Sequence, residues 1–214
     1  GLLGTTLRRR LEAAVDAQLL PPKGAGDDAE GQGSCDSSNA GRPDQAMRFG
    51  EDLPCWLRRL AARCTGLPGL LPPALARRRP AFDQLIVNAY GPGQGITRHV
   101  DLLKFDDGIL GVCLGTSAAT LKMRRLRSDV EVVSGGECGL TDDDLEGGSV
   151  DVEVRPGDVY ALSGEARYRW THEIPAWSLR PAGGRRVSLT LRRLLPGAWR
   201  GPTVAASGNG GGER

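Results

Sequence analysis

His99 and Asp101 stand two residues apart in Gly95-Ile96-Thr97-Arg98-His99-Val100-Asp101-Leu102, just after a Gly-Pro-Gly turn. On an extended strand, residues i and i+2 point the same way, so this spacing sets an imidazole beside a carboxylate. The chain has one other histidine, His172, 73 positions later. Two histidines and one carboxylate on a β scaffold make a facial triad with open coordination positions, a donor set suited to non-haem Fe(II). A His-x-Asp pair by itself also fits a surface pair or a structural hydrogen bond.

A second chemical signal lies in Arg185–Arg193, RRVSLTLRR. With a period of two, Arg186, Ser188, Thr190 and Arg192 share one face, while Val187, Leu189 and Leu191 take the other. Arginines on such a strand are costly to bury unless they meet anions, and the guanidinium fork matches carboxylate. A dicarboxylic cosubstrate would supply those anions; an edge strand with solvated arginines is the alternative.

The elements that must position these residues follow from periodicity. Residues 7–20 read as a helix, with Leu7, Leu11, Ala14, Val15 and Leu19 on one face and Pro21-Pro22 ending it. Residues 23–45 are Gly, Ser, Asp and Asn with scarcely an apolar side chain, the composition of a flexible insertion. A short strand is expected at "AMRFG". A helix then carries Leu53, Trp56, Leu57, Leu60 and Cys64 at helical spacing, with Pro54 in its first turn and Trp56 as a core anchor. From residue 82 the pattern becomes extended: "FDQLIVNAY", "ITRHVDL", "GILGVCLGT", "SAATLKMRRL", "VDVEVRPGDVYALSG", "YRWTHEI" and "RRVSLTLRRL" read as strands joined by Gly/Pro turns. Leu85, Val87 and Ala89 fall on one face of the first, and Ile86, Asn88 and Tyr90 on the other. Residues 134–149 form a loop whose Asp142-Asp143-Asp144 run is exposed. Such a series argues for a mainly β sandwich or jelly roll with N-terminal helices.

The totals bound the answer. The 214 residues suffice for one domain with a proper core, and the formal net charge of +2 does not announce a polyanion binder. Cys35, Cys55, Cys64, Cys113 and Cys138 contain no CxxC pair, which argues against a zinc ribbon and for reduced thiols in an intracellular protein, in cytoplasm or nucleus. No run of about 18 apolar residues marks a membrane span. Glu12 and Asp16 in "LLGTTLRRRLEAAV" favour an ordinary helix over a targeting segment.

In order and spacing, "VNAYGPGQGITRHVD", "GILGVCLGT", "PGDVYALSGEARYRWTHEI" and "RRVSLTLRR" resemble consecutive blocks of the AlkB-like Fe(II)/2-oxoglutarate dioxygenases, from about Phe82 to Leu194. The resemblance implies a double-stranded β-helix over residues 46–195, preceded by a helix over 1–22 and the insertion at 23–45, and followed by a disordered tail at 196–214. It implies Fe(II), 2-oxoglutarate and dioxygen as cofactor and cosubstrates. His99, Asp101 and His172 match the iron ligands. Arg186 matches the partner of the distal carboxylate of 2-oxoglutarate, with Tyr90 and Ser188 assisting. Asn88 and Arg192 match residues near the keto-acid end and the iron, so Arg192 belongs to both the catalytic and the cosubstrate-binding set. The implied substrate is an alkylated or modified base in RNA or DNA. A protein methyl group, a small molecule, or a non-catalytic binding role on the same fold stand as alternatives.

Three features depart from the base-repair pattern. Leu103 stands where those members often carry a second acid. Glu173 follows the distal histidine in place of glycine and is expected to point outward. The lid before the catalytic core is short. Phe49, Tyr168 and Trp170 are the rings available to stack on a base, and each also reads as core packing. Arg124, Arg125, Arg127, Arg77 and Arg79 read as solvated charge that is also placed to track a phosphate backbone.

Overall fold

A computed structural model of the chain describes residues 2–20, 44–132, 140–179 and 184–198. All but the last two residues of the expected insertion lie outside the described residues, as do Cys35, Cys138 and the tail from residue 199.

Helix α1 spans Thr5–Gln18 and buries Leu11 and Val15. Strand β1 runs Asp44–Phe49, beginning two residues inside the stretch expected to be an insertion. Its edge position explains the miss, because one partner strand and one half-covered face leave little apolar alternation to read. Helix α2, Cys55–Thr65, buries Leu57, Leu60 and Cys64, and Pro54 caps it from just outside rather than from its first turn. Trp56 packs against the same core and donates Nε1 to Gln18 Oε1 at 3.0 Å, tying α2 to α1. A short helix, α3, Pro73–Ala76, sits within the Pro/Leu-rich stretch.

The remaining strands are β2 (Gln84–Tyr90), β3 (Ile96–His99), β4 (Ile109–Gly115), β5 (Ala119–Arg125), β6 (Val150–Val154), β7 (Val159–Leu162), β8 (Trp170–Ile174) and β9 (Arg186–Arg192). They form two antiparallel sheets, in the orders β1-β2-β9-β4-β7 and β3-β8-β5-β6. From β2 onward the chain crosses from one sheet to the other and back until β9 closes between β2 and β4. That path is the double-stranded β-helix, or jelly roll, read from the sequence. A four-residue helix, α4 (Glu165–Tyr168), interrupts the extended run between β7 and β8. It is too short for a 3.6-residue period to show in the sequence.

The five-stranded sheet is divided by side. Leu85, Val87 and Ala89 of β2, Leu110, Val112 and Leu114 of β4, and Val187, Leu189 and Leu191 of β9 pack against α1 and α2 in one core. Each such buried aliphatic side chain contributes about 1.5–3 kcal/mol. The other row faces the second sheet and carries the polar side chains of β2 and β9. Cross-strand register sets Asn88 opposite Ser188, Tyr90 opposite Arg186 and Gln84 opposite Arg192. The apolar row anchors the strands, and the polar row is presented into the space between the sheets.

Candidate active site between the two sheets

His99 ends β3 and lies directly opposite His172 of β8 in the antiparallel register, so both imidazoles leave the same face. Their ring centroids are 4.2 Å apart. Gly95, at the entry to β3, makes this pairing possible, because a Cβ there would sit 2.1 Å from the carbonyl oxygen of Ile174. Asp101 lies two residues beyond the end of β3, so the simple strand alternation does not hold it in place; side-chain bonds do. Arg192 Nη1 donates to Asp101 Oδ1 at 2.7 Å, and His172 Nε2 lies 3.5 Å from Asp101 Oδ2. Ligand atoms of His99, Asp101 and His172 all fall within 4.8 Å of one another.

Hydrogen bonding and burial act on each member of this cluster. His99 Nδ1 lies 2.8 Å from the carbonyl oxygen of Thr97, which can only accept, so Nδ1 is the donor in this bond. Burial, then His99, pushes the His172 imidazole down to about 4, so it is neutral at pH 7. Burial alone would raise the Asp101 carboxyl, but His172, Arg192, His99 and Arg167 outweigh it and hold the group below its ordinary value. The result is a neutral His172 imidazole beside an ionised Asp101 carboxylate.

A cavity of about 380 Å³ opens from the triad between the sheets. At its far end Arg186 is 1% exposed. Its Nη2 reaches only the Cys113 sulfur at 3.7 Å, and its Nε and Nη1 have no hydrogen-bond partner among the described residues. The guanidinium lies 5.2 Å from the Tyr90 ring centroid. Burial raises the Tyr90 phenol, against the opposing charge of Arg186. Ser188, Asn88 and Arg192 also line the cavity, so it gathers every site residue expected from the sequence.

Other residues shape the site without having been singled out. Gln45 Nε2 donates to Asn88 Oδ1 at 2.7 Å, and Arg192 Nε donates to Gln84 Oε1 at 2.7 Å. Gln84 could have been found, since it continues the period-two row of Ile86, Asn88 and Tyr90. Gln45 could not, lying where apolar patterning is absent. Tyr160 of β7 closes one wall over Gly111, where a Cβ would meet the ring at 2.2 Å.

The mouth differs from the expectation of a stacking ring. Phe49, Tyr168 and Trp170 do not line the cavity; Met47, Leu102 and Lys104 do. Leu103 is outside the lining, and Glu173 lies opposite Lys122 on the face of β8 away from His172, as expected. Arg98 and Arg124 converge on Asp142 at 2.6 and 3.0 Å, and Arg125 meets Glu146 and Glu165, so this charge is balanced locally.

The model of the family described as "2OG-Fe(II) oxygenase superfamily" matches residues 32–192. The chain belongs to that superfamily. It is an AlkB-like member. It is 33% identical over 125 residues to the "Alkylated DNA repair protein ALKBH8 homolog" of Arabidopsis thaliana, covering 53% of this chain and 34% of that protein. It is 31% identical over 109 residues to the "tRNA (carboxymethyluridine(34)-5-O)-methyltransferase ALKBH8" of Mus musculus, covering 50% of this chain and 13% of that protein. The oxygenase thus spans about a third of the first relative and much less of the second. Among solved structures, a prolyl-4-hydroxylase of Pseudomonas putida matches with a TM-score of 0.45 at 18% identity, over 91% of this chain and 89% of that one.

Enzymes of this superfamily use Fe(II), 2-oxoglutarate and dioxygen, and the oxygenase has room and donors for them. Two imidazoles and a carboxylate suit a ferrous ion and leave coordination positions toward the cavity. The unpaired, buried guanidinium of Arg186 suits a carboxylate arriving from the same cavity.

Proposed function

We propose that this oxygenase hydroxylates alkylated or modified bases in nucleic acid, RNA or DNA, and thereby demethylates N-methylated ones. His99, Asp101 and His172 hold the iron. Arg186, with Tyr90 and Ser188, takes the distal carboxylate of 2-oxoglutarate. Asn88 orients the keto-acid end, held by Gln45, and Arg192 fixes Asp101 toward the metal. The observation that carries the chemistry is the buried Arg186, with Nε and Nη1 unpaired among the described residues, lining the same cavity as the His-Asp-His cluster.

When bound, iron and 2-oxoglutarate supply the oxidising power: one oxygen atom of O2 ends in succinate, the other in the target C–H bond, and carbon dioxide leaves. On an N-methyl group the hydroxylated carbon is a hemiaminal, which releases formaldehyde without further catalysis. The protein's share is positioning and exclusion of water. Tyr160, Leu121 and Ile174 form apolar walls, and the Arg192–Asp101 pair keeps the carboxylate from rotating away from the histidines.

The nucleic-acid reading is supported by the names of the two relatives. It is also supported by Lys104, which lines the cavity with its ammonium 5.4 Å from the Phe105 ring centroid and no carboxylate partner among the described residues, where it suits a phosphate. The aliphatic mouth of Met47 and Leu102 favours a second reading, the same oxidation of a protein methyl group or a small molecule. The test is succinate and formaldehyde release with N-methylated DNA and RNA oligonucleotides against methylated peptides. The proposal expects stimulation by an oligonucleotide. Stimulation by peptide alone would replace it with the second reading.

A further inference from the structure

Arg167 is 1% exposed, yet it has no carboxylate within ion-pair range among the described residues. Its charge is instead spent on three backbone carbonyls of one segment. Nη1 donates to Asp101 O at 3.0 Å, and Nη2 to Leu102 O at 2.8 Å and Phe105 O at 3.0 Å. The guanidinium lies 4.8 Å from the Tyr168 ring centroid. Arg167 belongs to α4, five residues ahead of His172 in the chain.

The 101–105 segment is therefore gripped twice. Arg192, from the five-stranded sheet, binds the Asp101 side chain at 2.7 Å and stacks 4.0 Å from the Phe105 ring centroid. Arg167, from α4 just ahead of β8, binds the main chain of Asp101, Leu102 and Phe105. We infer that Arg167 is a positioning residue that fixes the loop carrying Asp101 relative to the strand carrying His172, so that the metal-ligand geometry exists before any metal arrives. The planar fork serves these carbonyls from two nitrogens held apart in one rigid plane, which the single nitrogen of an ammonium does not reproduce. A buried cation without a counter-carboxylate is expensive, and the carbonyl dipoles that offset it are those of the loop being held. The inference rests on the chain's being an Fe(II)-dependent oxygenase, not on the substrate reading, so a failed substrate screen leaves it standing.

The test compares Arg167→Lys and Arg167→Met with Arg169→Met. Arg169 also donates to backbone carbonyls, those of Val130 and Arg127, but away from the triad. Two quantities are read: anaerobic Fe(II) affinity, and the thermal shift that 2-oxoglutarate produces in metal-free protein, which reports the Arg186 end. The expected result is Fe(II) binding weakened by about tenfold or more in both Arg167 variants, with the 2-oxoglutarate response and the Arg169 variant close to wild type. Fe(II) affinity within about twofold of wild type in a folded Arg167 variant would overturn the inference. So would metal and 2-oxoglutarate binding falling in step, which marks general loosening. If neither variant folds, hydrogen exchange on metal-free wild-type protein decides. Amides of residues 101–105 protected like those of β8 uphold it, and exchange at open-loop rates overturns it.

Discussion

Arg186 is the residue whose burial most exceeds its bonding. A guanidinium 1% exposed, with two nitrogens lacking partners among the described residues, suits an incoming anion. Charge-assisted hydrogen bonds contribute about 1.5–3 kcal/mol each, and 1.4 kcal/mol is tenfold in affinity. Arg186→Met should therefore raise the half-saturating 2-oxoglutarate concentration by about 10- to 100-fold while Fe(II) binding alone is unchanged, as isothermal titration would show. An unaltered 2-oxoglutarate requirement would mean the carboxylate binds elsewhere. At this scale most of the site was legible: the shared faces of Asn88 with Tyr90, and of Arg186 with Ser188 and Arg192, are consequences of a two-residue period. Arg167 was not, because nothing in "SGEARYRW" says which arginine turns inward; three carbonyls 62 to 66 positions earlier decide that.

Among elements, β4 and β7 show how a strand pair shapes one wall of the cavity. Gly111 and Tyr160 are cross-strand partners, and the missing side chain of one is the seat for the ring of the other. Gly111→Ala should drive the ring into the cavity, lower stability by about 1–3 kcal/mol and weaken 2-oxoglutarate binding. Calorimetric melting with and without 2-oxoglutarate measures both, and a variant with wild-type values would show that the ring does not rest on Gly111. The strands themselves were readable because each alternates or carries a dense apolar run. The pairing of sheets was not readable from alternation, since His99 and His172 meet through register set 73 positions apart; it came from the resemblance of ordered sequence blocks. The end of β3 before Asp101 was hidden for a related reason. Side-chain bonds from Arg192, not strand geometry, give that carboxylate its direction.

Across the whole molecule, the helices belong to the same body as the barrel. The family match begins at residue 32, yet α1 buries Leu11 and Val15 in the core shared with β2, β4 and β9. Glu12 Oε1 also accepts from Gly115 N at 2.8 Å, and Asp16 meets Arg185 at 2.7 Å. No helix among the described residues is long and apolar enough to cross a membrane. The cysteines report this packing. Cys55 is exposed, Cys64 and Cys113 are buried, and burial pushes the Cys64 thiol up to about 11. Iodoacetamide at pH 8 should label Cys55 in the native protein and reach Cys64 and Cys113 only after unfolding, as peptide mapping would show. Labelling of Cys64 as fast as Cys55 would mean that α2 does not lie against the sheet.

The central claim is that His99, Asp101 and His172 hold one ferrous ion with 2-oxoglutarate anchored at Arg186. Anaerobic titration of the metal-free protein with Fe(II) in the presence of 2-oxoglutarate, followed by visible absorption, tests it most directly. The account predicts a metal-to-ligand charge-transfer band that saturates at one iron per chain and disappears in His99→Ala and Asp101→Ala. A folded wild-type protein that develops no such band, or one that keeps it in both variants, would contradict the account.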